Sequence, residues 1–256
     1  MKIVCAASVV QAREAFSALG DVTVLADREI RREHLLDAEA LIIRSKTRVN
    51  RDLLEGTSVE FVATATAGAD HLDTSYLHKA GIAGSASPGC NANAVAEYVL
   101  TAITLLAKQN AALLTGKTLG IIGVGQVGSR VAEKAERLGL RVLRNDPPLA
   151  LQSPDPQLLP LEAVLAEADI LTLHTPLETG GAFPTHHLAD CRLFDQLKPG
   201  AWFINSSRGA VTDSDSLQCA LDHHLISACA LDVWEQEPRL ADSLRAAAAV
   251  LTPHIA

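Results

Sequence analysis

Arg208, Glu237 and His254 have side chains suited to act together on one small molecule. Each follows an apolar run that reads as a buried strand, at 202–205, 228–233 and 250–252. In an open parallel sheet, ligands bind beyond the carboxyl ends of the strands, so these three segments can converge on one rim. A guanidinium there would grip a carboxylate, best through two parallel hydrogen bonds. An imidazole near neutral pKa would take the proton of a hydroxyl while a hydride leaves the same carbon. A carboxylate beside the ring would orient it and favour the imidazolium. The set suits oxidation of a 2-hydroxy acid or, in reverse, protonation of a developing alkoxide. Taken singly, each residue has a plainer reading: Arg208 as an ion-pairing arginine, Glu237 as a solvated loop acid, His254 as part of a tail.

Hydride transfer needs an acceptor, and the stretch 118–128 suits one. An apolar run at 119–122 reads as a strand and ends in Gly123-x-Gly125-x-x-Gly128. An amphipathic helix over about 126–138 follows, with Val127, Val131, Ala135 and Leu138 on one side. Gly123 permits a tight turn, Gly125 a close approach of pyrophosphate, and Gly128 close helix–strand packing. Free N–H groups at the start of the helix, Gln126 and Val127 among them, would face the phosphates. Asp146 ends the next apolar run, 18 residues after Gly128. That is where such a unit sets a carboxylate on the adenosine ribose. It would repel a 2′-phosphate, which favours NAD over NADP, with Arg144 close by. Glycine-rich turns without a cofactor share the GxGxxG pattern; strand, helix and spaced acid together make the dinucleotide hypothesis.

The elements that must position these groups alternate along the chain. Apolar runs at 3–6, 22–25, 40–43, 61–65 and 82–86 alternate with helix signals near 10–19, 31–36, 51–55 and 74–80. That pattern implies a parallel sheet flanked by helices, here without its own glycine fingerprint. A helix signal over 93–108 is apolar nearly all round, as a helix wedged between two domains would be. Beyond it, strands are expected at 119–122, 141–145, 170–173, 202–205, 228–233 and 250–252, and helices near 126–138, 161–167, 187–196, 213–222 and 240–247. The Pro-rich stretch 147–160 reads as an exposed loop. The expected fold is α/β, with two Rossmann-like parallel-sheet domains around a cleft. Residues 1–92 would form a flavodoxin-like substrate domain and 93–256 the domain that binds the dinucleotide.

Composition narrows the class. The chain carries 22 basic and 30 acidic residues, a net charge of −8, with no basic block, so a nucleic-acid surface is not expected. No run approaches the roughly 18 apolar residues of a membrane helix. The N-terminus opens directly on a strand-like run without signal-peptide features. Five scattered cysteines without a CxxC pair read as reduced thiols in a cytoplasmic protein. Cys90 has no histidine or basic partner nearby and reads as a buried thiol rather than a nucleophile. His186-His187 and His223-His224 are adjacent pairs without the i, i+4 spacing of helical zinc sites, so no metal is expected and they read as surface or capping residues.

Four segments then carry a family resemblance: His174-Thr175-Pro176, the run 205–213 around Ser206-Ser207-Arg208-Gly209, the run 230–238 from Ala230 to Pro238, and Thr252-Pro253-His254-Ile255-Ala256. They resemble the D-isomer-specific 2-hydroxyacid dehydrogenases. The resemblance implies that Arg208 binds substrate, that His254 is the acid/base, and that its carboxylate partner is Glu237, the acid before the proline, rather than Glu235. It implies cofactor contacts at Gly125, Gln126, Val127, Asp146, Thr175, Ser206, Ser207, Arg208 and Asp232.

A narrower set covers much of the chain: Arg44-Ser45-x-Thr47-x-Val49-Asn50, the run 61–73 with Thr64-Ala65-Thr66-Ala67-Gly68, Ser87-Pro88-Gly89-Cys90-Asn91-Ala92, Asp146-Pro147-Pro148 and His187-Leu188-Ala189-Asp190. It resembles the erythronate-4-phosphate dehydrogenase branch. That implies substrate contacts at Ser45 and Thr66, and NAD-dependent oxidation of 4-phospho-D-erythronate to 2-oxo-3-hydroxy-4-phosphobutanoate in pyridoxal 5′-phosphate (vitamin B6) biosynthesis. Lys46 and Arg48 beside Ser45 suit either the substrate phosphate or a solvated basic turn. The branch has an Asp-Glu-Asn stretch where this chain has Ala6, Ala7 and Ser8. It also continues past the position of Ala256 into a C-terminal dimerisation domain, so a homodimer is implied for full-length members and this chain reads as truncated. Two alternatives stay open: another D-2-hydroxyacid dehydrogenase of phosphoglycerate or glycerate type, and a non-catalytic NAD(H)-binding protein of the same fold.

Overall fold

Short strands buried on both faces, joined by helices, are what continuous apolar runs produce in a parallel sheet. The computed structural model describes residues 1–256 and divides into two compact units, Met1–Asn91 and Ala92–Ala256. In the first unit, β1 (Lys2–Ala6), β2 (Asp21–Leu25), β3 (Ala40–Ile43), β4 (Phe61–Thr64) and β5 (Ala83–Ser85) form one sheet in the order β2-β1-β3-β4-β5. Every pairing is parallel. This is the flavodoxin-like order, with its switch point between β1 and β3. Ile3, Leu41, Ile43 and Val62 form the core, each almost fully buried.

Its helices are α1 (Ala12–Phe16), α2 (Arg51–Leu54) and α3 (Thr74–Ala80). Asn50 and Asp73 cap α2 and α3 by accepting from Leu53 N (3.1 Å) and Tyr76 N (2.9 Å). Gly81, at φ 72°, ends α3. The helix expected over 10–19 shrinks to α1, because Gln11 takes a left-handed conformation (φ 55°) and makes no side-chain cap. The one expected over 31–36 is a 3-10 turn, Arg32–Leu35.

The second unit opens with α4 (Ala92–Gln109). It then runs through β6 (Thr118–Ile122), α5 (Gln126–Arg137), β7 (Arg141–Asn145), α6 (Pro147–Gln152), α7 (Leu161–Glu167), β8 (Ile170–Leu173) and α8 (Cys191–Phe194). β9 (Ala201–Asn205), α9 (Ser214–Asp222), β10 (Ile226–Leu231), α10 (Asp242–Ala247) and β11 (Val250–Leu251) complete it. The sheet order is β11-β10-β9-β8-β6-β7, all parallel. One further parallel bridge, Arg144 with Leu158, lies beside β7. It is the third strand of the usual dinucleotide-binding order, reduced to a single residue.

Four expectations need correction here. The stretch 147–160 is not all loop, because Asp146 caps α6 and proline is tolerated in a helix's first turn. Only Cys191–Phe194 of 187–196 is helical, since His187 is left-handed (φ 53°) and Asp190 is the cap. α4 is not buried all round: Val95, Val99, Ile103 and Leu106 face inward, while Glu97, Thr101, Thr104 and Leu105 lie on the outer side. Ala92, Ala96, Ala102 and Ala107 are buried with the inward-facing residues, and polar residues every third or fourth position mark the outer stripe. Cys90 is exposed, not buried, in the turn closed by its N–H on Ser87 O (3.1 Å). No helix is long and apolar enough to cross a membrane.

Candidate active site

The glycine loop is built as its spacing demands. Gly123 is at φ 89°, and a Cβ there would lie 2.7 Å from His174 O. A Cβ on Gly128 would lie 2.0 Å from Gly123 O, so helix and strand meet only because both residues are glycine. Val131, Ala132 and Ala135 of α5 are buried in the same core cluster as Leu119 and Ile121 of β6. Burial of one such valine contributes about 1.5–3 kcal/mol. At Gly125 the situation reverses: an added Cβ would meet nothing within 4 Å. That space lies at the unfilled N-terminus of α5, which has no side-chain cap, so its first N–H groups can face an anion.

Asp146 borders this loop. Its Oδ2 accepts from Val124 N (2.8 Å), and its Oδ1 accepts from Leu149 N (2.9 Å) as the cap of α6. Each oxygen keeps a lone pair for a ribose hydroxyl. At the ends of β8 and β9, Thr175 Oγ1, Ser206 Oγ and His174 Nδ1 are buried without a hydrogen-bond partner. Leaving such a group unsatisfied costs about 1–3 kcal/mol, which a polar ligand would remove. Burial pushes the His174 imidazole down to about 3, so it is neutral. An open glycine cradle ringed by orphaned hydroxyls fits NAD.

Ser207 and Asp232 are more occupied than their sequence positions imply. The Ser207 N–H (2.9 Å) and hydroxyl (2.8 Å) both donate to Asn205 Oδ1. Asp232, 1% exposed, accepts from Thr252 Oγ1 (2.6 Å), Ile255 N and Ala256 N (both 2.9 Å). Its carboxylate therefore clasps the segment that carries His254. Gln126 is exposed, and its side-chain carbonyl accepts from Arg130 (3.0 Å). Val127 is half-buried.

Arg208, Glu237 and His254 gather at the carboxyl ends of β9, β10 and β11. Asn205, fully buried, shapes the first loop through Nδ2, which donates to Arg208 O and Thr212 Oγ1 (both 3.0 Å). Arg208 donates from Nη1 to Ser207 O (2.8 Å). Glu237 Oε1 accepts from Trp234 N (3.2 Å), and its Oε2 meets His254 Nδ1 at 2.9 Å. Glu235 does not reach His254; it bonds His187 Nε2 at 2.6 Å. His254 is left-handed (φ 55°), held there by its N–H on Asp232 O (2.8 Å).

The hydrogen bond to Glu237 chiefly raises the His254 pKa above its ordinary value. Burial opposes that rise, the charges of Glu237 and Asp232 add to it, and the nearby Arg208 charge lowers it. With Nδ1 engaged by Glu237, Nε2 is the nitrogen left to exchange a proton. Sequence reading passed over Asn205 and the partners of His187. An asparagine ending the apolar run Trp202-Phe203-Ile204 is the one signal for the first.

The first unit presents its own polar groups at its strand ends. Ser45, Lys46 and Arg48 are exposed after β3, while Thr47 is buried and donates to Asp27 O (3.0 Å). After β4, Thr66 Oγ1 donates to Gly68 O (2.8 Å) and lies 2.7 Å from Thr64 Oγ1, which is 2.9 Å from His71 Nε2. A carbonyl only accepts, so the Thr66 hydrogen is committed. Thr64 then donates to Thr66, His71 donates to Thr64, and Thr66 has only lone pairs to offer a ligand. At the altered stretch, Ser8 retains one polar group, and its hydroxyl donates to Asp27.

Residues 102–256 match the model of the D-isomer specific 2-hydroxyacid dehydrogenase NAD-binding domain. The whole chain is 47% identical to an erythronate-4-phosphate dehydrogenase of Yersinia pestis strain Pestoides F, over 68% of that protein's length. The chain belongs to the D-isomer-specific 2-hydroxyacid dehydrogenase family. Among solved structures, it is similar to the TT0316 protein of Thermus thermophilus (TM-score 0.87, 27% identity, all of this chain and 89% of that one). It is also similar to a D-lactate dehydrogenase of Aquifex aeolicus complexed with NAD and lactic acid (TM-score 0.82, 26% identity, all of this chain and 88% of that one). As a D-isomer-specific 2-hydroxyacid dehydrogenase, the chain is an NAD-binding oxidoreductase acting on a CH–OH group.

Proposed function

We propose that the chain oxidises 4-phospho-D-erythronate at C2 to 2-oxo-3-hydroxy-4-phosphobutanoate, a step of pyridoxal 5′-phosphate biosynthesis. The reaction class rests on the 2.9 Å pair of Glu237 and His254, which leaves Nε2 to handle a proton. The substrate rests on 47% identity to relatives of that name across the full chain. NAD, when bound on the second unit, supplies the hydride acceptor. Arg208 grips the substrate carboxylate. His254 Nε2 removes the C2 hydroxyl proton, and Glu237 stabilises the imidazolium that results. In the first unit, Met1–Asn91, Ser45 and Thr66 contact substrate. Thr66, with its hydrogen committed to Gly68, accepts from a substrate hydroxyl rather than meeting the phosphate. Lys46 and Arg48 supply cations for the phosphate. A cytoplasmic location, and the homodimer expected of full-length family members, complete the proposal.

The test is NADH formation from D-erythronate 4-phosphate, with D-glycerate and 3-phospho-D-glycerate in parallel. Selective turnover that falls on the order of 10²–10⁴-fold in His254→Ala supports the proposal. Preference for either glycerate would overturn the substrate and keep the reaction class. NADH binding without turnover of any of the three would favour the non-catalytic reading.

A further inference from the structure

The loops bearing Arg208 and Glu237 are fastened to each other at a residue that belongs to neither. His187 follows β8 by a long loop, and its N–H donates to Ala210 O (2.9 Å), two residues past Arg208. Its ring reaches both loops: Nε2 lies 2.6 Å from Glu235 Oε1, and Nδ1 lies 3.3 Å from Asp213 Oδ2. Both carboxylates are anchored on their far sides, Glu235 by Ser214 N (2.9 Å) and Asp213 by Ser216 N (2.7 Å). His187 itself is held at φ 53°, a conformation non-glycine residues adopt mainly where surrounding contacts impose it. The His186 ring stacks on it, with centroids 4.0 Å apart.

We propose that His187 is a positioning residue for the catalytic rim: clamped between Glu235 and Asp213, it sets the spacing of the Arg208 and Glu237 loops and so holds Glu237 against His254. This rests on the assignment of Glu237 and His254 as the reacting pair. The transmission is short. Glu235 lies two residues before Glu237, and Trp234 between the strand and Glu235 donates its N–H to Glu237 Oε1. The two loops touch without slack, since a Cβ on Gly209 would fall 2.0 Å from Trp234 O. A shift of residues 234–235 therefore moves Glu237 relative to both Arg208 and His254.

The experiment follows the His254 imidazole by NMR titration of the whole chain, alongside steady-state oxidation rates across pH. The variants are His187→Ala, His187→Asn and His187→Gln. Asparagine tolerates the left-handed backbone but is too short to span both carboxylates. Glutamine keeps the reach to Glu235. The expected result is a His254 titration shifted to lower pH in the Ala and Asn variants, at least half restored by Gln. The kcat for hydroxy-acid oxidation would fall on the order of 10-fold, with KM for NAD unchanged. Removal of a positive charge beside an imidazole raises its pKa, so a shift to lower pH cannot come from charge removal. An unmoved or raised His254 titration in His187→Asn overturns the proposal, whatever happens to thermal stability. If the titration moves while His254→Ala leaves turnover intact, the clamp stands and the catalytic assignment falls.

Discussion

In each unit the first strand is apolar, and the loop that follows it is tied to a carboxylate just past the second strand. In the first unit Ser8 donates both its N–H (3.2 Å) and its hydroxyl to Asp27. In the second, Val124 donates only its N–H to Asp146 (2.8 Å). The two sheets share their winding and this tie, yet the turns differ. The first passes through Ala7, Ser8, Val9 and Val10, enters α1 at a left-handed Gln11, and fills its carboxylate with a side chain. The second carries three glycines, two of them demanded by contacts under 3 Å and the third, Gly125, bordering open space. A shared fold thus leaves function to the local chain. Glycine spacing decides whether the first turn is closed by its own side chains or open to a pyrophosphate.

Filling that space is the most severe way to break the contrast. Gly125 sits at φ −75°, which any residue adopts, so Gly125→Val should fold and melt as the parent does. Its side chain would occupy the phosphate cradle, and NADH affinity measured by fluorescence titration should fall at least about 100-fold, a loss of roughly 2.7 kcal/mol. Retained affinity would mean that the dinucleotide lies elsewhere.

Glu237→Gln tests the rim that the first unit lacks. His254 has a folded pKa above its ordinary value of about 6.5, chiefly because Glu237 bonds it. Oxidation needs the neutral ring, so the rate should rise with pH through that raised pKa. Glu237→Gln should move the rise to lower pH, and a profile that stays in place would remove Glu237 from the pair. The linkage has a matching sign. The stability contributed by protonated His254 is fully present below the unfolded pKa and is lost as pH rises through the folded one. Thermal melts of the variant across that window should show a weaker dependence.

The mildest test sharpens the comparison between the two carboxylates. Asp146→Ala should relax discrimination against NADP by about tenfold while removing the cap of α6, at a cost of about 1 kcal/mol. Asp27→Ala should cost a similar amount of stability and leave cofactor preference untouched. Equal NAD and NADP discrimination before and after Asp146→Ala would sink the ribose role.

Strands such as 40–43 and 170–173 are legible to the residue because burial on both faces makes them largely apolar runs. The helix at Pro147 is hidden because two prolines read as a breaker, although a capping aspartate immediately before them reverses their meaning. The strand at Leu158 is illegible, since one residue pair carries no periodicity. His187 reads as a surface residue because its partners, Asp213 and Glu235, lie far along the chain.

The glycine cradle, the order of the longer strands and helices, and the kinds of group that line the rim follow from the residues alone, because these depend on local periodicity and on the chemistry of each side chain. Tertiary structure alone decided how the acids are used: Glu237 on His254, Glu235 on His187, Asp232 on the segment 252–256. Those pairings arise where loops distant in sequence meet at the ends of parallel strands.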